Sequence, residues 1–496
     1  MKKALLLTLL VGWSYISIQA AVVNGVRYTL SKSDKSTVLR SIGAELDPHF
    51  HAQHVLRSAG SKAEDWDRII APRIRKMHLQ SLRMMTLPSW YEQQNDNDDP
   101  SVMDWERFSF HSPEMQGLYK ALDLAEELGI KVTLVPWGAC CNSFLAPGTL
   151  GWVTGPSLFE EYCENIAALL KQLLVVKGYT CIDELTPGNE PDGWGMSPTK
   201  YVELCHALHN RLVREGLRDR IKLALVDNTD RGGQFDYISA CAPLLKDIAD
   251  ALVSHTYIFG YGTNSSDITS WEHLNDLYAK KIGVRHFVGE FGSDQCVGSS
   301  RQRDIDDYRR GVLVVRNALA LLAGGASGVS YWQLFDEYYS RGDDYAQMQQ
   351  LGMWRSVKDD YATEDYFPQI RCDYQPRPQY YAYTLLTRFI RPGAKLYPMI
   401  GNAVACHYPQ NVALGVKNTD GTWVYVIANL SDEEMAITLK NSKDRIRGTY
   451  ERYVYQENSL PADDSLLSPQ MLPGFVDGCI AEVIPSNSVA LYRSLP

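Results

Sequence analysis

Two short stretches carry carboxylates in settings suited to chemistry. Residues 186–195 read TPGNEPDGWG, with Asn189-Glu190 held between Gly188 and Pro191, and residues 286–294 read HFVGEFGSD, with Glu290 flanked by Gly289 and Gly292. Proline lacks an N–H and biases the residue before it away from helix, so Glu190 is expected to be extended at the tip of the strand formed by TCIDEL. The glycines around Glu290 allow backbone or substrate to come close. Taken alone, N-E-P or G-E-F-G is equally an acidic turn. Facing each other across one cleft, the two carboxyls become a proton donor and a group that attacks or activates water.

The elements that would bring them together recur along the chain. Eight apolar, β-rich runs (RSIGAEL, LQSLRMMTL, KVTLVPW, TCIDELTP, IKLALVD, ALVSHTYI, HFVGEF and GVSYWQLF) alternate with amphipathic stretches such as 157–176, 198–215, 235–249 and 301–323. Apolar residues at i, i+3 and i+4 make those stretches helical, and Ser197-Pro198 is a helix start. Alternating strands and helices imply a parallel sheet, and eight units predict a (β/α)8 TIM barrel over residues 39–393. A doubly wound sheet would carry a Gly-rich turn after its first strand, which RSIGAELDPHF lacks. Chemistry in such a barrel sits at the C-terminal strand ends, so Glu190 on strand four and Glu290 on strand seven would share one mouth.

Beyond residue 393 the pattern changes to short alternating runs: VACHYP, VALGVKN, WVYVIANL, MAITLK, AEVIP and VALYRSL. Residues 394–496 therefore read as an antiparallel β-sandwich, and the strand-like segment 21–38 as an addition to it.

The 496 residues carry a formal charge of -10, which argues against nucleic acid or an anionic membrane surface as partner and favours a neutral ligand. Residues 1–20, MKKALLLTLLVGWSYISIQA, have the lysines and apolar stretch of a signal peptide, predicting a secreted or periplasmic protein with no membrane span. The ten cysteines show no C-x-x-C spacing and read as buried thiols with one or two bridges. The run NDNDD at 95–99 offers oxygen donors without the spacing of a known calcium loop and reads as a solvated turn.

With the two glutamates in place, the sequence resembles glycoside hydrolase clan A over about residues 40–392, and its layout is most similar to families 30 and 39. The resemblance implies a retaining enzyme without a cofactor, acting on a carbohydrate, an oligo- or polysaccharide. Asn189-Glu190-Pro191 looks like the clan's Asn-Glu-Pro on strand four, making Glu190 the acid/base and Asn189 a contact of the sugar 2-hydroxyl. Glu290 matches the nucleophile. Arg83 in SLRMMT looks like the arginine beside it, His255 and Tyr257 in SHTYI match strand-six positions that contact the nucleophile, and Trp332 matches the strand-eight floor of the sugar subsite. Gly188 stands where some of those families carry tryptophan.

Aromatic residues in WYEQQ (90–94), in PWGACC (136–141, with Trp137) and in the long segment 335–367 suit the C–H faces of sugars. Arg83 beside Glu290 would favour its ionised form, and the charge of Glu290 would favour a protonated Glu190. Two other classes fit less well. A catalytically silent carbohydrate-binding protein on the same scaffold would not need both glutamates, and a metal-dependent barrel enzyme would need a convergent His/Asp set that the strand ends do not display.

Overall fold

A computed structural model describes residues 25–52, 61–97, 99–137, 156–193, 195–230, 236–258, 260–293, 296–297, 301–302, 304–338, 348–356, 372–461, 463–471 and 478–495. Eight parallel strands close into a barrel: Ser41–Glu45, Ser81–Thr86, Lys131–Pro136, Ile182–Leu185, Lys222–Asp230, Ala251–Ile258, Arg285–Ser293 and Gly328–Tyr331, the eighth pairing with the first. These are the eight runs expected. Most of their side chains are buried on both faces, as a parallel sheet wrapped in helices requires.

The helices begin where local chemistry starts them. Ser112 and Ser197, each followed by proline, accept the N–H of Met115 and Lys200 and cap Pro113–Leu128 and Pro198–Arg214. The helix expected over 301–323 begins later, at Arg309 and runs to Gly324, because Arg301–Gln302 instead pairs with Cys296–Val297 as a two-stranded ribbon.

The remaining strands form two sheets. One orders Ile400–Gly401, Val26–Leu30, Met435–Asn441 and Cys479–Ile484; the other contains Lys395–Pro398, Val412–Lys417, Trp423–Asn429, Ser488–Ser494 and Tyr450–Tyr455. Val26–Leu30 thus joins the sandwich, pairing parallel with Met435–Asn441 in an otherwise antiparallel arrangement. Alternation along Trp423–Asn429 explains how the two parts pack. Tyr425 and Ile427 point into the sandwich with Tyr28 and Leu439, whereas Val424 and Val426 belong to the core shared with the barrel helices. VACHYP is not a strand: Ala403–His407 forms a single 3-10 turn. Asn402 starts it by accepting the Arg27 N–H and donating to the Gly25 carbonyl, which removes that stretch from a sheet ladder.

Seven cysteines among the described side chains are free thiols, four of them buried, so the expected bridges are not found there; Cys140 and Cys141 lie outside the described residues. Among the described residues no helix is long and apolar enough to cross a membrane. The signal-like residues 1–20 also lie outside them.

Candidate active site

The barrel mouth gathers four acidic groups, a histidine and an arginine from six different strand ends. Arg83 is the hub. Its Nη1 donates to Glu290 Oε1 at 2.6 Å and Glu45 Oε2 at 3.0 Å, and its Nη2 donates to Asp227 Oδ2 at 2.7 Å and Asn189 Oδ1 at 2.8 Å. Burial works against the guanidinium, but the carboxylates of Asp227, Glu45 and Glu290 more than offset it and hold its pKa well above the ordinary value.

Asp227 occupies its place because strand five is deformed there. Val226 and Asp227 both have positive φ, 87° and 48°, and the ladder to strand six slips between Val226 and Asn228. Such a bulge re-aims a side chain and costs about 1–3 kcal/mol for each strained residue. Its freed polar groups find partners: the Val226 N–H donates to the Tyr201 hydroxyl at 2.9 Å, and the Asp227 carbonyl accepts the Glu190 N–H at 3.0 Å.

The second of these bonds bears on Glu190. Strand four ends at Leu185, so Glu190 lies in the loop beyond the tip, and its φ is 47° rather than extended. The carbonyl of Asp227 pins one side of the segment, and Asp192 accepts from the Thr229 N–H and hydroxyl on the other. Together these bonds hold a conformation that a residue before proline otherwise avoids. Glu184, on the same strand, faces the other way and pairs with Arg40 and Arg285.

His255 stands between the two glutamates. Its Nδ1 is 2.9 Å from Glu190 Oε1 and 3.5 Å from Glu290 Oε2, and its Nε2 is 3.0 Å from Asp227 Oδ1. Burial alone would lower the imidazole pKa, but Glu290 and Asp227 raise it well above the usual range, which favours the protonated ring. Asp227 is held below its ordinary pKa, against its burial, by Arg83 and His255.

A carboxylate oxygen of Glu190, one of Glu290 and a ring nitrogen of His255 lie within 4.8 Å of one another. The Glu190 side chain is 24% exposed, whereas that of Glu290 is 4% exposed, so only the first is open to the cleft. Burial raises the Glu290 pKa and the charge of Glu190 adds to it, while His255, Arg83 and the Tyr257 hydroxyl act in the opposite direction. Tyr257 donates to Glu290 Oε2 at 2.6 Å; its own pKa is pushed far up by burial and by Glu290, so it remains a donor.

Both glycines of the GEFG stretch have a steric reason. A Cβ on Gly289 would lie 2.6 Å from Val253 Cγ1 and 3.2 Å from Asp227 Oδ1, and one on Gly292 would meet the Tyr257 ring at 3.1 Å. Trp332 and Trp137 pack with Met85, Val135 and Leu351, and with Tyr257, into a largely buried apolar cluster at the mouth.

The strand ends do converge on His and Asp, contrary to the sequence expectation, because Asp227 and His255 meet only through the bulge. Asp227 is paired both with Arg83 and with the His255 ring. Asp227 and Glu45 were missed among the site residues, although each stands at the end of an apolar run, IKLALVD and RSIGAEL. Trp90 and Tyr91, expected to line the cleft, are buried, Tyr91 stacking on Phe110 and donating to Asn165. Of the segment 335–367, residues 339–347 and 357–367 lie outside the described residues.

No protein-family profile and no curated protein matches the sequence. Solved structures do match. The catalytic domain of the glycoside hydrolase family 30 xylanase C from Talaromyces cellulolyticus superposes with a TM-score of 0.62 at 16% identity, covering 94% of this chain and 99% of that one. An endo-β-1,6-glucanase gives 0.60 at 16%, covering 94% and 93%. AbfB, a family 51 α-L-arabinofuranosidase from Bifidobacterium longum, gives 0.62 at 12%, covering 95% and 99%. The chain therefore has the fold of these glycoside hydrolases, a closed (β/α)8 barrel with a β-sandwich.

Proposed function

We propose that the protein is an exported retaining glycoside hydrolase that cleaves β-linked glycosides or polysaccharides by double displacement, with Glu190 as acid/base and Glu290 as nucleophile. The observation that carries this reading is that Glu190 Oε1 and Glu290 Oε2 flank one imidazole nitrogen, His255 Nδ1, at 2.9 and 3.5 Å, with one oxygen of each glutamate within 4.8 Å of the other. Retaining enzymes hold their carboxyls about 5–5.5 Å apart, whereas inverting ones leave about 6.5–9.5 Å for a water.

In the first step Glu290 attacks the anomeric carbon while the glycosidic oxygen leaves with a proton from Glu190. That proton belongs to the Glu190–His255 pair, joined at 2.9 Å, and Asp227 holds the other ring nitrogen so that Nδ1 faces Glu190. In the second step water attacks the same carbon, releases Glu290 and returns its proton to the pair. Arg83 and Tyr257 balance the Glu290 charge whenever it is free. Asn189 engages Arg83 through its oxygen, which directs its NH2 to serve as the donor for a sugar hydroxyl. Trp332 and Trp137, largely buried beside Tyr257, would form the apolar floor beneath a sugar face.

The structural neighbours act on different sugars by name, so the test is a panel of aryl glycosides and β-linked polysaccharides, with the first-formed anomer followed by proton NMR. Retention is expected. Inversion would overturn the mechanism, and no turnover on any glycan would leave a carbohydrate-binding protein on this scaffold.

A further inference from the structure

Glu45 closes the first barrel strand beside Arg83, its register partner on the second. Backbone bonds fix that placement from both sides: the Leu46 N–H donates to the Arg83 carbonyl at 2.9 Å, and the Leu334 N–H donates to the Glu45 carbonyl at 3.0 Å. The Glu45 side chain is fully buried and accepts from Arg83 Nη1, the same nitrogen that donates to Glu290. Glu45 and Glu290 therefore compete for one donor.

A counterion role alone does not explain Glu45. Asp227 and Glu290 already bring two carboxylates to the one guanidinium. A third adds the desolvation of another buried acid, and its Oε1 has no hydrogen-bond partner among the described residues. Asp96, 3% exposed and so not the solvated turn expected of NDNDD, shows the contrast, because it folds inward to accept from the Asp104 N–H and from Asn97 Nδ2. Burial holds the Glu45 pKa well above the ordinary carboxylate range; Arg83 acts against it, while Asp47 and Glu290 add to it. The resting site thus holds one carboxyl more than its arginine needs, and that surplus ends when Glu290 loses its charge.

We propose that Glu45 is a positioning residue that takes over Arg83 Nη1 once Glu290 is consumed as the glycosyl ester, and so stabilises the covalent state; this rests on the double displacement proposed above. When Glu290 bonds to the anomeric carbon, the glycosidic oxygen leaves with its electron pair and the proton of Glu190, and the Glu290 carboxylate charge is gone. Arg83 then keeps Asp227 and Glu45 as partners, and the repulsion between Glu45 and Glu290 is removed. Without Glu45, a buried guanidinium short of one anion would pull on the ester oxygen and favour the return of Glu290 to its ionised form. Glu45 therefore favours attack by Glu290 and slows its release.

The probe is a dinitrophenyl β-glycoside, of whichever sugar the glycoside panel shows to be turned over, with fluorine in place of the hydroxyl next to the anomeric carbon. The fluorine slows both steps, so inactivation of the full chain reads ester formation, and recovery after removal of the probe reads ester hydrolysis. Glu45→Gln, which keeps the shape, is expected to form the ester about tenfold more slowly and to recover about tenfold faster than the parent. The opposed signs are the test, because a merely structural loss would slow both steps. Glu45→Asp, which keeps the acid but withdraws it from Arg83, should show the same opposed changes to a smaller extent, and it decides should Glu45→Gln not fold. If the parent forms the ester and the variants slow both steps or change neither, the role of Glu45 is overturned while the double displacement stands. A parent that turns over glycosides without forming an ester would overturn the double displacement, and the role of Glu45 with it.

Discussion

Asp227 holds the Nε2 of His255 at 3.0 Å while the Nδ1 of the same ring lies 2.9 Å from Glu190. One imidazole thereby links a fully buried carboxylate to the carboxyl open to the cleft, and its protonation is set from both sides.

Replacing Asp227 by asparagine keeps the shape and removes a charge that raises the His255 pKa. The proton of the Glu190–His255 pair should then be lost at lower pH. The alkaline limb of kcat/KM, which reports that proton in the free enzyme, is expected to move to lower pH while the acidic limb stays. The same raised pKa has a stability consequence. Its contribution is fully present below the unfolded value of about 6.5 and fades as pH rises through the folded one. Denaturant titrations across pH should show this alkaline loss reduced in Asp227→Asn.

Tyr257→Phe removes a hydrogen bond that lowers the Glu290 pKa. Glu290 works ionised, so activity is lost as pH falls through its pKa, and the acidic limb should move to higher pH. A hydrogen bond to a charged group contributes about 1.5–3 kcal/mol, so kcat is expected to fall about 10- to 100-fold. Equal pH profiles for the variant and the parent would show that the hydroxyl does not act on Glu290.

Much of this arrangement can be read from the chain, and what cannot has a physical reason. Runs such as ALVSHTYI and HFVGEF declare themselves as strands because buried parallel strands need continuous apolar, branched residues. Glu190, Glu290, Arg83 and Tyr257 then follow from standing at or near their ends. Asp227 closes IKLALVD in the same way, yet its contacts depend on positive φ at Val226 and Asp227, which no side-chain pattern announces for a valine. Glu190 departs from the extended form its proline favours because a hydrogen bond from another strand overrides a local bias. Asp96 looks polar and exposed in NDNDD, and only the fold brings Glu161 to it from a distant helix. In VACHYP the alternation is real, but Asn402 redirects the backbone.

Arg83→Met should be the most destabilising change at the mouth. It leaves Glu45, Asp227 and Glu290 buried around an apolar side chain, and breaking a buried ion pair costs about 3–5 kcal/mol. Urea unfolding near neutral pH is expected to show that loss, and lowering the pH should recover part of it as the carboxyls take up protons. A stability unchanged at neutral pH would contradict the role of Arg83 as hub.

Gly289→Ala places a methyl group 2.6 Å from Val253 Cγ1 and against the Asp227–His255 contact. Overpacking of this kind costs about 1–3 kcal/mol. Both the urea midpoint and kcat should fall, whereas Gly129→Ala, strained by φ 67° but with open space around it, should lower the midpoint alone.

The roles of the two glutamates are tested most directly by the stereochemistry of azide rescue in Glu190→Ala. With an activated aryl β-glycoside the leaving group needs little protonation, so the variant should still form the glycosyl ester on Glu290 and then stall. Azide attacks that ester without a general base, and NMR of the product should show a β-glycosyl azide formed faster than hydrolysis. An α-glycosyl azide released by Glu290→Ala, with Glu190→Ala inert to azide, would contradict the assignment of Glu290 as nucleophile and Glu190 as acid/base.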